Sequence, residues 1–190
     1  IPGPRMIIST RAIVATGSYG PKLSADVDNP RGAAEADGGD DLIKEIRMQI
    51  GKGADFIKLY ADYRWGVNKE AQPTFTLNEL KTAAEVTQSS GRKLVTHAVT
   101  PEAMRRATLA GVATIEHGDK GNEEIFNLMK EKGVALCPTL AAGESVSQYD
   151  GWKKGTDPEP DRIIEKKKSF AAALKSGVTI CMGGDVGVYA

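Results

Sequence analysis

The sequence predicts an α/β protein, and more narrowly most of a (β/α)8 TIM-type barrel with six of its eight βα units present. Short apolar runs bounded by Gly, Pro and Asp alternate with segments of helical period, the pattern of repeated βα units around a parallel sheet. Glycines at 91, 111, 133 and 177 each close a helix-period segment and lead within a few residues into an apolar run. Long Gly-, Pro- and Asp-rich stretches follow strands, as the substrate loops of a barrel do. A full barrel needs about 250 residues. The 190 residues here therefore read as a single incomplete domain, 1–190, without the first two strands and a C-terminal part.

In chain order, "RMIISTRAI" (5–13) is the first strand candidate, followed by a loop-like stretch over 16–41 and a helix from Asp41 to Lys52. "ADFIKLYA" (54–61) is the next strand, and 62–73 its following loop. A helix over Leu77 to Ser90 leads to "KLVTHAV" (93–99). Thr100 then caps a helix that Pro101 opens and Ala110 ends. "VATIEHG" (112–118), a helix from Asn122 to Lys132, and "VALCPTL" (134–140) continue the alternation. A second long loop-like stretch covers 141–161, a helix runs from Pro160 to Ser176, and "VTICMGGDV" (178–186) is the last strand candidate. "EKKKS" (165–169) reads as the solvated face of that last helix. A doubly wound sheet is the rival architecture, but "ATGSYG" only weakly imitates its phosphate-binding turn.

Composition narrows the function classes. With 25 basic and 25 acidic residues the formal charge is zero, so no basic field draws nucleic acid. No apolar run approaches the roughly 20 residues of a membrane helix, so neither nucleic acid nor membrane is an expected partner. The chain reads as soluble, with its compartment open and the cytoplasm favoured. Cys137 and Cys181 lie inside apolar runs and read as buried free thiols.

Four polar residues occupy positions where core strands should be apolar: Lys58, His97, His117 and Asp185, each on a different strand candidate. In a barrel all four face one mouth. These are the only two histidines in the chain, and imidazole with carboxylate is a donor set for zinc and related divalent ions. Lys58 is harder to place, because burying an unpaired ammonium costs several kcal/mol. It could pair with Asp62 or Glu116, or lose its proton and act as a Schiff-base nucleophile, or be converted into an anion by modification. Glu116 could orient a ligand or face the helices. Tyr63 and Arg64 follow the Lys58 strand on the mouth side as substrate-binding candidates, with Thr139 and Tyr149 beside them.

The series "GADFIKLY", "VTHAVTPEAMRRATLAGVATIEHG", "GVALCPTLAAG" and "GVTICMGGDVG" resembles the metal-dependent amidohydrolase superfamily, near its imidazolonepropionase-like and Xaa-Pro dipeptidase-like branch. The resemblance implies a segment from the third to the eighth barrel strand. It implies that carbon dioxide carboxylates Lys58 to a carbamate that bridges two divalent ions, zinc first among them. It places His97 and His117 on one ion and gives Asp185 a bond to the other and the role of proton shuttle. The family's first-strand His-x-His pair is absent from this chain.

The expected activity is hydrolysis of an amide C–N bond in a peptide-like, N-acyl amino acid or cyclic amide substrate by a metal-activated hydroxide. One alternative is a class I aldolase-like barrel using Lys58, since "GADFIK" also resembles the Schiff-base strand of deoxyribose-phosphate aldolases. A non-catalytic fragment is the other. The expected partners are a small-molecule substrate and further copies of the chain, because an incomplete barrel leaves sheet edges open.

Overall fold

In a computed structural model, which describes residues 3–20 and 32–186, strands and helices alternate along the chain. The elements are β1 (Ile13–Val14), β2 (Ala34–Glu35), α1 (Gly38–Gly51), β3 (Ile57–Tyr60), β4 (Asp62–Tyr63), β5 (Gln72–Pro73), α2 (Leu77–Ser89), β6 (Leu94–Ala98), α3 (Pro101–Ala110), β7 (Thr114–His117), α4 (Glu123–Lys132), β8 (Ala135–Cys137), α5 (Leu140–Tyr149) and α6 (Asp161–Ser176). Six strands form one parallel sheet in the order β2-β1-β3-β6-β7-β8, and β4 and β5 form a separate antiparallel ribbon.

Apart from β2, spatial order in the sheet follows chain order, with no reversal at which a doubly wound sheet would place its ligand. The helices also stack in sequence, α1 on α2, α2 on α3, α3 on α4, and α4 on α6. Strand side chains alternate between two faces. Ile57, Leu59, Leu94, Ala98, Ile115 and Leu136 are buried against Leu42, Ile46, Leu80, Met104, Phe126 and Met129 of the helices. Each of the larger of these side chains contributes about 1.5–3 kcal/mol on burial. The opposite face carries Lys58, Tyr60, Val95, His97 and Glu116, all only partly buried. One face packed by helices and one lined by polar groups is the wall of a barrel.

Local chemistry sets the helix ends. At α2, the Thr76 hydroxyl accepts from the Glu79 N–H, and the Glu79 carboxylate accepts from the Thr76 N–H at 2.8 Å, a reciprocal capping box. The Thr100 hydroxyl caps α3 and Pro101 fills its first turn; Gly111 leaves it in the left-handed region at φ 85°, which a side chain would strain.

Four expectations are corrected. Of the run 5–13 only Ile13 joins the sheet, with Val14 beyond it; residues 5–10 lie outside it, and Ile8 is tied instead to Asp55 by reciprocal bonds. The stretch 16–41 is not all loop, since it contains β2 and the first turn of α1; its residues 21–31 lie outside the described ones. In 141–161 the segment Leu140–Tyr149 is helical, with only Ala142 and Ser147 buried, so its apolar stripe was too thin to read. The run 178–186 supplies a single parallel bridge, Ile180 to Leu136, before Gly183 and Gly184 end the pairing. Both cysteines are free thiols; Cys137 is buried and Cys181 partly so.

Candidate active site

Lys58 points from β3 onto the open face. Among the described residues it forms no hydrogen bond and no ion pair, and its Nζ lies 6.0 Å from the centre of the Tyr60 ring. Pairing with Asp62 or Glu116 is therefore not how this lysine is accommodated. Burial lowers its pKa, and the charges of Glu116, Asp185 and Cys137 oppose that shift without cancelling it. The result is an amine with raised nucleophilicity and no partner.

His97 stands beside it on β6, opposite Tyr60 in register and stacked on that ring with centroids 4.5 Å apart at 20°. Its Nε2 lies 3.4 Å from Asp62 Oδ1. Asp62 is fully buried at the start of β4. It accepts from the N–H groups of Val99 and Thr100 and from the Thr100 hydroxyl, which fixes it to the β6–α3 turn. The other imidazole nitrogen, Nδ1, is buried and has no hydrogen-bond partner among the described residues.

The His117 ring lies 4.5 Å from that of His97, edge to face. Its Nδ1 is 2.7 Å from the Thr139 hydroxyl, which leaves Nε2 for a ligand. Burial, then the neighbouring His97 and Lys58, push its pKa down to about 2, so the ring is neutral and can offer a lone pair at any physiological pH. Each imidazole is thus held through one nitrogen and open at the other, the arrangement in which metal-ligating histidines are oriented.

Glu116 faces the same side, opposite His97 in register, and accepts from the Thr114 hydroxyl at 2.8 Å. It lies near the Cys137 thiol, whose pKa is pushed up to about 12, mostly by burial and then by this carboxylate. Asp185 is exposed, left-handed at φ 51°, and close enough to Lys58 and Tyr60 to influence both. Tyr63 joins Tyr60 and Tyr19 in a cluster with centroids 5.0–6.0 Å apart, next to His97. Arg64 is exposed at the rim. Tyr149, expected at the mouth, sits in the last turn of α5, 77% exposed, without a ring contact to this cluster among the described residues.

The structure thus brings together Lys58, His97, His117, Glu116 and Tyr63, with Asp185 at the edge. Sequence reasoning missed Tyr60, which shares the face of Lys58 by period-two alternation, and the holding roles of Asp62 and Thr139. It also misplaced "EKKKS": Glu165, Lys167 and Lys168 are exposed, but Lys166 is 7% and Ser169 4% exposed. Their spacing with Ile163 and Ala173 marks one buried helix stripe and was the available signal.

The donor set fits a divalent cation in part. A buried unpartnered Nδ1 on His97 and a neutral His117 supply two nitrogens, yet no three His, Cys, Asp or Glu side chains converge as a cage among the described residues. Lys58, as a carbamate, would be the third donor.

A parallel barrel wall with polar groups along its open face defines a segment of a (β/α)8 barrel. Residues 1–189 match the family model described as amidohydrolase family, and the chain belongs to that family. The ochratoxinase of Aspergillus niger is 32% identical over 183 residues, which cover 89% of this chain and 36% of that protein. Its crystal structure superposes with a TM-score of 0.80 at 29% identity, over 97% of this chain and 47% of that one. A Xaa-Pro dipeptidase with methionine bound in its active site gives 0.79 at 29%, over 100% of this chain and 50% of that one. A prolidase complexed with N-methylphosphonate-L-proline gives 0.80 at 25%, over 97% and 49%. The chain spans about a third of the ochratoxinase sequence and about half of each solved chain.

Proposed function

We propose that the protein containing this chain hydrolyses an amide C–N bond in a small molecule, with a divalent ion, zinc by preference, held at the strand-end cluster. The observation that carries this is the pair of touching imidazoles, each with one nitrogen held and one free, beside a buried lysine without a partner. Family membership and the names of the relatives, a Xaa-Pro dipeptidase in one case and an ochratoxinase in another, support the reaction class.

In this reading the neutral Lys58 amine adds to carbon dioxide; an N–C bond forms, a proton leaves to solvent, and the side chain becomes an anion. His97 Nδ1, His117 Nε2 and this carbamate would hold the ion. A cation held there would lower the pKa of water to about 7 and polarise the amide carbonyl. Asp185 takes the proton of the attacking water and returns it to the leaving nitrogen. Tyr60, Tyr63 and Tyr19 wall one side of the mouth and receive an apolar substrate group, while Arg64 at the rim meets a substrate carboxylate. The candidate substrates are peptide-like molecules, N-acyl amino acids and cyclic amides, and segments 16–41, 62–73 and 141–161 select among them.

Elemental analysis with and without bicarbonate, together with a hydrolysis panel of these three substrate classes, tests the reading. Bicarbonate-dependent zinc uptake and hydrolysis abolished in Lys58→Ala are expected. Borohydride trapping of a carbonyl compound on Lys58, with no zinc uptake, overturns it in favour of the aldolase-like alternative, for which an unpaired amine of lowered pKa would equally serve.

A further inference from the structure

Strand geometry alone would put His117 on the wrong side of the sheet. Side chains alternate along a strand. Glu116 lies on the open face opposite His97, whereas His117 pairs in register with Ala98, which is fully buried under the helices. A regular continuation of β7 would carry the imidazole into the helix layer. Instead His117 adopts φ 76°, a left-handed conformation uncommon for a residue other than glycine, and Gly118 follows at φ 60°. The reversal returns the ring to within 4.5 Å of His97. Conformations of this kind persist only where the surroundings over-determine them.

The surroundings here are two residues of α6. Lys166 Nζ donates to the His117 carbonyl at 2.6 Å and to Asp119 Oδ1 at 2.5 Å. Ser169 Oγ donates to the Gly118 carbonyl at 2.6 Å. Three successive residues of the turn are thus gripped from one helix, by side chains one turn apart. On the sheet side, the Gly118 N–H donates to the Ala98 carbonyl at 3.0 Å. A Cβ at Gly118 would meet Leu136 Cδ1 at 2.7 Å, so the turn passes close to the sheet at a point where glycine fits and a side chain does not. Burying the ammonium of Lys166 is unfavourable, as its lowered pKa reflects, and it is tolerated because both of these acceptors are fixed.

We propose that Lys166 and Ser169 form a positioning clamp whose function is to hold His117 in the reversed conformation that brings its imidazole to the mouth. The consequence for a metal rests on the reading above; the placement of the ring does not.

The chain's two histidines allow the two matters to be tested separately, on protein carrying isotope-labelled histidine. In the unsubstituted chain an NMR cross-peak joins the two imidazoles. Lys166→Met is expected to abolish it and to move the His117 ring signals, with a smaller shift at His97 as its ring neighbour withdraws, and to weaken zinc binding in bicarbonate buffer by about tenfold or more. Ser169→Ala, a smaller change, is expected to shift the same His117 signals in a folded chain and keeps the test decisive should Lys166→Met not fold. An intact cross-peak with unmoved His117 signals in both folded variants overturns the clamp, as does absence of the cross-peak from the unsubstituted chain. Should the unsubstituted chain bind no zinc, the metal reading falls and the ring signals still decide the clamp.

Discussion

Lys58 is the residue whose cost to the fold is greatest for what it contacts. It sits where a core strand would carry an aliphatic side chain, its pKa is lowered by burial, and no counter-ion within bonding distance offsets that loss of hydration. Lys58→Met is therefore expected to leave stability unchanged or to raise it by about 1 kcal/mol, read from the urea midpoint at constant slope, while removing activity. A clear loss of stability would show that the amine has a structural partner. Asp62 is the opposite case, since every contact it makes uses the carboxylate as acceptor. Asp62→Asn turns an NH2 toward the donors of Val99 and Thr100. The expected cost is about 2 kcal/mol in stability, together with about 10- to 100-fold in metal affinity as His97 loses its orientation.

Among the elements, α2 and α3 are stopped and started by side chains that the sequence displays openly. The reciprocal bonds of Thr76 and Glu79 predict that Thr76→Ala costs about 1 kcal/mol in thermal or urea unfolding, with activity unchanged because α2 packs on the helix-covered face of the sheet, opposite the polar face of the mouth. The bounds of α3, Pro101–Ala110, were legible to the residue, because Thr100, Pro101 and Gly111 each carry a local signal that needs no tertiary partner. The strand at 5–13 and that at 178–186 were not, since apolar content says that a segment is buried but not that a neighbour lies in register beside it. Helix α5 escaped for a related reason: with two buried residues it is held by its place after the left-handed Thr139 more than by its own pattern.

For the whole molecule, His117 and two carboxylates set the response to acid: the buried ring, with its pKa lowered from 6.5 to about 2, stays uncharged in the folded chain while the unfolded chain protonates it below 6.5. The Arg105 hydrogen bond, with Arg106 behind it, holds Glu102 down to about 2. For Glu79, burial pushes upward but the N–H groups of Thr76 and Gly38 outweigh it, so its pKa is also lowered. A folded-state pKa below the unfolded value gives stability that is complete above the unfolded value, here 4.5, and is lost as pH falls through the folded value. Urea midpoints are therefore expected to fall as pH drops below about 6.5, and to fall further below 4.5, where the two carboxylates add to the loss. The fall should be shallower in Glu102→Gln by only a small amount, because that ion pair is solvent-screened. The open polar face and the two-residue edge strand β2 lead us to expect that the 190-residue chain self-associates; a monodisperse monomer by light scattering would refute this.

By itself the sequence determined the alternation of strand and helix and most helix ends, and it singled out Lys58, His97, His117 and Asp185 as out-of-place polar residues, because period, caps and polar interruptions are local signals. Only the tertiary structure decided that His117 turns back to meet His97, that Lys166 and Ser169 leave the charged face of α6 to grip that turn, and that Asp62 and Thr139 each hold one imidazole. Those outcomes depend on backbone reversal and on contacts between residues as far as 51 positions apart, which no window of sequence contains.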